Sequence, residues 1–209
     1  MPNWIYRKRK SLEVKMSAIY EGIYALAKPH LNTRYNDVHT EGSYRFACRL
    51  LEDEPGDPDV VIPAILCHDL GWIKVPEHLQ LKAFGPTFDP ELRRIHEVEG
   101  VKLARDILLQ VNYDPIKTAE ILDIIDGHDS RPQAISDSDK IVKDADKLFR
   151  FTATGLAIDI KRFKQDRDVY LEWIYGQIDT WFLTNTGKQL AADAGKSQER
   201  WLRVAEDLY

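Results

Sequence analysis

The chain has 209 residues, of which 44% are hydrophobic, and a formal net charge of -5. A chain of this length can bury a sizeable core, and we expect residues 1–209 to form one domain. The negative charge balance argues against nucleic acid or an anionic membrane as the main partner. The cationic start is not followed by a long apolar region, and no apolar run is long enough to span a bilayer, so we expect a cytoplasmic protein.

Helical periodicity dominates the first seventy residues. Ser11 is a candidate N-cap for a helix that ends before Pro29, and a second helix is expected over about 36–52. The nearly all-apolar stretch from Val60 to Leu70 predicts a short buried helix at the centre of a bundle. Pro63 lies within this stretch and cannot donate a backbone hydrogen bond. The helix therefore either begins near Pro63 or bends there.

The middle of the chain contains clear helix starts. Gly71 is expected to terminate the preceding helix, and residues 72–87 are interpreted as an irregular connection over the surface. The pairs Asp89-Pro90 and Asp114-Pro115 each combine an N-cap carboxylate with a proline suited to the first helical position. We therefore expect one helix to begin at each pair.

The last third of the chain is also helical in pattern. Residues 136–139 are expected to form a polar turn, followed by a helix from about Lys140. Three further segments, 151–163, 169–183 and 187–208, are expected to be helical, with aromatic residues such as Trp173, Trp181 and Trp201 facing inward. No alternating strand pattern and no repeat of 20 to 50 residues occurs. The predicted fold class is all-α.

Four histidines form an ordered series with a spacing of about 30 residues. They are His39, His68, His96 and His128, while His30 and His78 are expected to be surface residues. The spacing is roughly one helix plus one turn in a compact bundle, so separate helices would each deliver one imidazole to a common centre. On its own, each of these histidines would more often be a core residue than a ligand. Together they indicate a metal centre.

The doublet His68-Asp69 lies at the end of the apolar run, where an uncompensated carboxylate is costly. A metal ion is the expected partner. One site would combine His39 with the doublet and with an acid from the pair Asp144 and Asp146. Asp69 could bridge to a second ion bound by His96 and His128, although these two could instead contact a substrate phosphate directly. Imidazole and carboxylate ligands favour Fe, Mn, Co or Zn, with one or two ions per chain.

The helix that carries His96 has a predicted inner and outer face. Its inner stripe is expected to include His96, Gly100, Leu103 and Ile107, and its solvent side Arg93, Glu97 and Arg105. His96 would then face the packed interior.

The ordered pattern His39, His68-Asp69, His96, His128 and Asp146 resembles the HD-domain superfamily of metal-dependent phosphohydrolases. The segments HDLGWIKVPEHLQLK, IHEVEGVKLARDIL and DADKL carry the resemblance. It implies an HD-type helical bundle with its motif-bearing core at about 36–150, on which the helices of 151–209 would pack. It also implies a mono- or binuclear metal centre and cleavage of phosphate esters, often in nucleotides. By the same resemblance Asp146 is the metal-binding aspartate, with Asp144 in reserve.

Two positions depart from the pattern of the superfamily. Trp72 occupies the place where many relatives have lysine after the glycine. His128 is followed by Asp129, where cyclic-dinucleotide phosphodiesterases carry a second histidine, and the Gly-Tyr-Pro signature of that subgroup is absent. Cyclic di-GMP is therefore not the expected substrate.

Charged side chains near these ligands are candidates for binding and catalysis. Substrate phosphate could be held by Lys74, Arg131, Lys147 and Arg150, with Arg45 and Arg49 as further candidates. The expected catalytic residues are Asp69, His96, His128 and Asp129. Asp129 could orient a water or relay a proton to the leaving oxygen, or it could simply form a turn before Ser130.

We therefore expect a metal-dependent phosphohydrolase acting on a small phosphorylated metabolite or nucleotide. The first alternative is a di-iron oxygenase on the same fold, for which Tyr35 is present before the first histidine without a convincing glutamate partner. The second is a non-catalytic sensor in which the metal centre only binds a nucleotide. The aromatic C-terminal helices offer a face for a homodimer.

Overall fold

The computed structural model describes residues 16–83 and 89–206, with side chains described as far as Gly195. The predicted N-cap Ser11 and the side chain of Trp201 lie outside the described residues. Within them there are α-helices, three short 3₁₀ helices and no strand, so the all-α prediction is confirmed. The α-helices are α1 Ala18–Ala27, α2 Asn36–Leu50, α3 Pro58–Cys67, α4 Glu77–Gln80, α5 Pro90–Gln110, α6 Pro115–Ile125, α7 Asp137–Phe149, α8 Ala153–Phe163, α9 Arg167–Tyr175, α10 Ile178–Trp181 and α11 Asn185–Glu206.

Helix α3 forms the centre of the bundle. Every residue from Val60 to Cys67 is buried, and the helix contacts α1, α2, α6 and α7. Burial on all sides explains why this helix is apolar around its whole circumference. The predicted buried centre is confirmed, and its C-terminal end delivers His68.

Pro63 lies inside α3, so the helix begins before it, at Pro58. Asp57 caps this start, because its side chain accepts a hydrogen bond from the backbone N–H of Asp59 at 2.9 Å. A proline at position 63 leaves the carbonyl of Asp59 without its usual helical donor. The hydroxyl of Tyr113 donates to that carbonyl at 2.6 Å. A side chain distant in sequence therefore satisfies the group that Pro63 orphans.

Side-chain caps mark several other helix starts. Asp89 and Asp114 each accept hydrogen bonds from the first turn that follows them, as their Asp-Pro pairs predicted. The prediction of a polar turn over 136–139 was wrong. Helix α7 begins at Asp137, because the hydroxyl of Ser136 accepts a hydrogen bond from the backbone N–H of Asp139 at 3.1 Å and so caps the helix.

The connection after Gly71 is more ordered than predicted. A 3₁₀ helix Leu70–Lys74, helix α4 and a second 3₁₀ helix Leu81–Ala83 replace the expected irregular loop, and residues 84–87 lie outside the described part of the chain. Trp72 is buried in this segment rather than on the surface. The helix Leu70–Lys74 packs against α5, and a Cβ at Gly71 would overlap the carbonyl oxygen of His96. Only glycine allows the two backbones to approach this closely.

The C-terminal aromatic residues are only partly internal. The predicted segment 169–183 is divided into α9 and α10. Trp173 is 45% exposed, so its predicted inward position was wrong, whereas Trp181 packs against the core. Trp173 instead rests edge-on against Trp181 with ring centroids 5.5 Å apart.

In the part of the chain that the structure describes, no helix combines the length and apolar character needed to cross a bilayer.

Candidate metal centre and pocket

The four histidines of the series meet in one cluster. Helix α2 supplies His39, the end of α3 supplies His68, α5 supplies His96, and His128 follows α6. The Nε2 atoms of His39 and His68 are 3.1 Å apart, and those of His96 and His128 are 3.2 Å apart. His68 and His128 connect the two pairs, with ring centroids 5.2 Å apart.

Asp69 lies between the two histidine pairs. Its Oδ1 is 3.7 Å from the Nε2 of both His68 and His128, and its Oδ2 is 3.6 Å from the Nε2 of His39. Two groups of side chains that could each hold a metal ion therefore share this carboxylate: His39, His68 and Asp69, and Asp69, His96 and His128.

Hydrogen bonds on the far side of two of the rings orient their Nε2 atoms toward the cluster. The Nδ1 of His68 donates to the carbonyl of Ile65 at 2.8 Å, and the Nδ1 of His128 donates to that of Ile125 at 2.9 Å. Since a carbonyl oxygen can only accept, Nδ1 carries the hydrogen, and in the neutral ring the Nε2 lone pair points into the cluster. Buried lone pairs converging with a carboxylate fit a borderline transition-metal ion.

Asp146 and Asp144, both on α7, point in different directions. The Oδ1 of Asp146 is 3.1 Å from the Nε2 of His39 and 3.7 Å from that of His68. Asp144 instead accepts hydrogen bonds from the backbone N–H groups of Leu183 and Thr184, at 2.8 and 2.9 Å. Asp144, the reserve ligand, is therefore held away from the histidines by the chain before α11.

Asp129 lies at the second histidine pair. Its Oδ2 is 3.6 Å from the Nε2 of His96 and 3.9 Å from that of His128. Glu97 holds its backbone, because one carboxylate oxygen accepts from the N–H groups of Asp129 and Ser130 at 3.1 and 2.8 Å. The predicted solvent-facing position of Glu97 was wrong: it is fully buried, since it pairs with these otherwise unsatisfied donors.

Lys143 supports the same loop from α7. Its ammonium group is buried and donates to the carbonyls of Gly127, His128 and Arg131 at 2.6 to 2.9 Å. Three acceptors at the end of α6 match the three hydrogens of a lysine ammonium group. Lys143 and Glu97 thus hold the segment that presents His128 and Asp129, and sequence reasoning missed both roles.

The charged groups of the cluster strongly affect one another. Burial, together with the nearby His128, lowers the pKa of His96 to about 4. Burial acts in the same direction on His128, but Asp69 and Asp129 outweigh it and raise the pKa of His128 to about 9. Although burial opposes it, the imidazole of His68 helps to hold the pKa of Asp69 well below its usual range. The clustered carboxylates therefore favour positive charge among the rings. Without a metal, that charge is a proton on His128.

A cavity of about 260 Å³ opens beside the histidine cluster. Lys147 and Arg150, two of the predicted phosphate holders, line it. Lys74 is exposed and does not line it, and Arg131 is bound to Asp139 at 3.2 Å. Arg45 and Arg49 are also absent from the cavity lining, and Arg49 pairs on the surface with Asp53. The sequence distance of these residues from the ligands did not show whether their side chains face the cavity.

Several residues that line the cavity were not recognised in the sequence. They are Arg34, Trp72, Arg93, Arg162 and Trp181. Arg34 precedes the His39 helix, and a weak signal for it was its position just before the first ligand. Arg162 belongs to α8, about one helix beyond Asp146, where no motif marks it. Trp72 stacks on His96 with ring centroids 4.0 Å apart.

Within the described residues the chain is a helical bundle in which four histidines and several aspartates form one buried cluster. This arrangement is typical of metal-binding helical proteins. The sequence model of the HD domain family matches residues 36–150, which is more than half of the chain. The chain therefore belongs to the HD domain family. This superfamily consists mostly of metal-dependent phosphohydrolases, and its domains bind divalent metals. No curated protein and no solved structure matches the chain.

Proposed function

We propose that the protein is a metal-dependent phosphohydrolase that cleaves a phosphate ester of a small metabolite or nucleotide. The observation that carries this proposal is the position of Asp69 between two groups of imidazoles. A carboxylate between two groups of ligands could bind two metal ions at once. Two neighbouring ions of this kind can stabilise the attacking and the leaving oxygen of a phosphate ester.

We assign one ion to His39, His68, Asp69 and Asp146, and a second ion to Asp69, His96 and His128. The mixture of nitrogen and oxygen ligands favours Fe, Mn, Co or Zn over calcium or magnesium. When bound, such ions supply Lewis acidity at the phosphoryl group and lower the pKa of water at the site. The chain then needs no nucleophilic side chain of its own.

Asp129 is the residue that we assign to proton handling. Burial opposes its ionisation, but His128 and His96 lower the pKa of Asp129, so that its Oδ2 accepts hydrogen bonds at neutral pH. An ionised carboxylate beside His96, with its backbone held by Glu97, is suited to orient the attacking water and accept its proton.

The cationic side chains of the cavity are the proposed phosphate holders. Lys147 directly follows the proposed ligand Asp146, and Arg150 lies one turn further along the chain. Arg34 and Arg93 add two guanidinium groups to the same cavity. Guanidinium groups bind phosphate with paired, charge-assisted hydrogen bonds, so an anionic substrate can be held in a protein of negative net charge.

The test combines metal analysis with a substrate panel. Wild type, D69A and the control D106A, whose aspartate is exposed on α5, are analysed for bound metal by mass spectrometry. Phosphate release from monoesters and diesters is then measured with each metal restored. We expect D69A to lose both bound metal and activity, and D106A to retain both. Full turnover by metal-free D69A would overturn the proposal.

The same preparations separate the two alternative functions. A di-iron oxygenase would consume oxygen when loaded with iron and given a phosphonate or polyol, without releasing phosphate. A non-catalytic sensor would bind a nucleotide tightly in calorimetry and yield no product after long incubation. Either result, together with an inactive phosphate-ester panel, contradicts the hydrolase.

A further inference from the structure

One wall of the cavity comes from residues outside the family match at 36–150. Arg34 precedes the match, while Asp159 and Arg162 come from α8 and Trp181 from α10. This wall faces the same cavity as the metal ligands His39, Asp69 and Asp146. Residues that line a cavity away from its reacting centre are placed to contact the rest of a substrate, so this wall is a candidate specificity surface.

Arg162 of this wall and Arg150, the last residue of the family match, share the buried carboxylate of Asp159. The Nε of Arg150 lies 2.8 Å from the Oδ2 of Asp159, and the Nη1 of Arg162 lies 3.3 Å from the Oδ1. The hydroxyl of Tyr170 also donates to the Oδ2 of Asp159, at 2.7 Å. One carboxylate therefore compensates two guanidinium charges, and both of its oxygens are already engaged.

Arg34 brings a third guanidinium group to the same wall. It lies over the ring of Trp72, 4.3 Å from the centroid, and the Nη2 of Arg162 donates to its backbone carbonyl at 2.9 Å. Arg34 and Tyr35 both have positive φ angles, of 50° and 62°. Non-glycine residues rarely adopt this conformation, and consecutive examples occur where the surrounding contacts require them. The turn therefore holds the side chain of Arg34 near the metal centre and its backbone against Arg162.

The charges that line the cavity do not balance around a simple phosphate ester. The lining includes five cationic side chains and four carboxylates, and three of those carboxylates lie at the metal-binding cluster. With one divalent ion bound, the lining would carry a net charge of about plus three, and a phosphomonoester dianion would reduce it to about plus one. A second ion would increase the excess. A cavity whose lining carries excess positive charge attracts anions, so this cavity favours a ligand with a further negative charge.

We propose that the substrate carries a second anionic group, a carboxylate or a second phosphate, which is bound by Arg34 and Arg162 while its scissile phosphate lies at the metal centre. The inference rests on the proposed function for the position of the scissile group. Arg162 is then a specificity-determining residue that lies outside the family core. The relevant substrates are small phosphate esters in which the alcohol part carries a carboxylate or a second phosphate. Esters of alcohols without an anionic group are poor substrates.

Equilibrium binding of non-hydrolysable ligands tests this directly. The metal-loaded full chain is titrated by calorimetry with 3-phosphonopropionate, with propane-1,3-bisphosphonate, and with butylphosphonate, which has similar length and only one anionic group. We expect at least one of the two-anion ligands to bind about 10- to 100-fold more tightly than butylphosphonate, because a charge-assisted hydrogen-bonded pair is gained. Whichever of the two binds more tightly identifies the second group as carboxylate or phosphate.

The variant R162Q removes the charge and keeps a polar side chain, and R49Q makes the same change on the surface of α2. The quantity compared is the ratio of the affinity for the tighter two-anion ligand to the affinity for butylphosphonate. We expect R162Q to bring this ratio close to one and R49Q to leave it at the wild-type value. R162K, which retains a charge but not the paired geometry, should give an intermediate ratio and replaces R162Q if that variant does not fold. A wild-type ratio near one overturns the proposal, as does a wild-type ratio in folded R162Q.

The outcome is distinguishable from that of the proposed function. If the wild type hydrolyses phosphate esters equally well whether or not the alcohol part carries an anionic group, the proposed hydrolase function stands and the second-anion site is wrong. If it binds the two-anion ligands selectively but releases no phosphate from any ester, the binding site stands and the hydrolase is wrong.

Discussion

The indole Nε1 of Trp72 donates a hydrogen bond to the Oδ1 of Asp69 at 2.9 Å. Asp69 is the carboxylate that the two proposed metal sites share, so this bond fixes the orientation of its oxygens. Because the ring of Trp72 is also stacked on His96, one side chain supports a ligand of each site. Trp72 is thus a positioning residue for both proposed metal sites.

The substitution W72F removes the donor but retains an aromatic ring. We expect the affinity for metal to fall about 10- to 100-fold, because the partner that orients Asp69 is lost. Competition with a chelator of known affinity measures this change. W173F, at a half-exposed tryptophan of α9, is the matched control and should bind metal like the wild type. An unchanged metal affinity in W72F would show that the indole does not orient Asp69.

Substitution of Asp146 and of Asp144, both on α7, should affect different properties of the protein. D146N neutralises the carboxylate near His39, and we expect metal affinity to fall at least about tenfold. D144N replaces a carboxylate that accepts three hydrogen bonds from Leu183 and Thr184. It should cost about 1–3 kcal/mol of unfolding free energy and leave metal binding intact. Urea denaturation and metal analysis of both proteins provide the measurements, and loss of metal from D144N alone would reverse our assignment.

Lys143 should couple stability to metal binding. K143M leaves the carbonyls of Gly127, His128 and Arg131 without their buried donor, and we expect a loss of about 2–4 kcal/mol. Metal affinity should fall as well, since the backbone that carries His128 is released. The control K140M removes an exposed lysine of the same helix that pairs with Asp137, and it should change neither quantity. If folded K143M binds metal with wild-type affinity, Lys143 does not contribute to positioning His128 for metal binding.

The histidine cluster predicts opposite pH dependences with and without metal. In the metal-free protein the pKa of His128 is raised from 6.5 to about 9, through Asp69 and Asp129 and despite burial. This group stabilises the fold fully below about pH 6.5, and the contribution is lost as the pH rises to about 9. We therefore expect the melting temperature of the metal-free protein to fall between pH 6.5 and 9. A constant or rising value would contradict the proposed protonated cluster.

Metal binding requires the neutral imidazole, so it should release the proton from His128. We expect the affinity for metal to rise about tenfold per pH unit over the same range for each proton displaced. Calorimetry in buffers of different ionisation enthalpy counts the protons released. Binding without proton release at pH 7.5 would show that His128 is neutral before the metal arrives.

Local signals predicted much of the fold. Asp89-Pro90 and Asp114-Pro115 mark helix starts because capping acts within one turn, and the apolar run of α3 marks the bundle centre because burial on all sides requires it. Ser136 was misread because a polar cap resembles a turn in sequence. Pro63 could not be interpreted without knowing that Tyr113, fifty residues later, satisfies the carbonyl it orphans.

The sequence by itself determined that the chain is helical and that His39, His68-Asp69, His96 and His128 belong together, because ligand type and spacing along successive helices are local properties. Only the tertiary structure decided which neighbouring charges face the site. It points Asp146 toward the histidines and Asp144 toward the chain before α11, and it brings Arg34 and Arg162 to one cavity from opposite ends of the family match. These directions depend on how helices rotate and pack against each other, which is set by contacts between residues far apart in the chain.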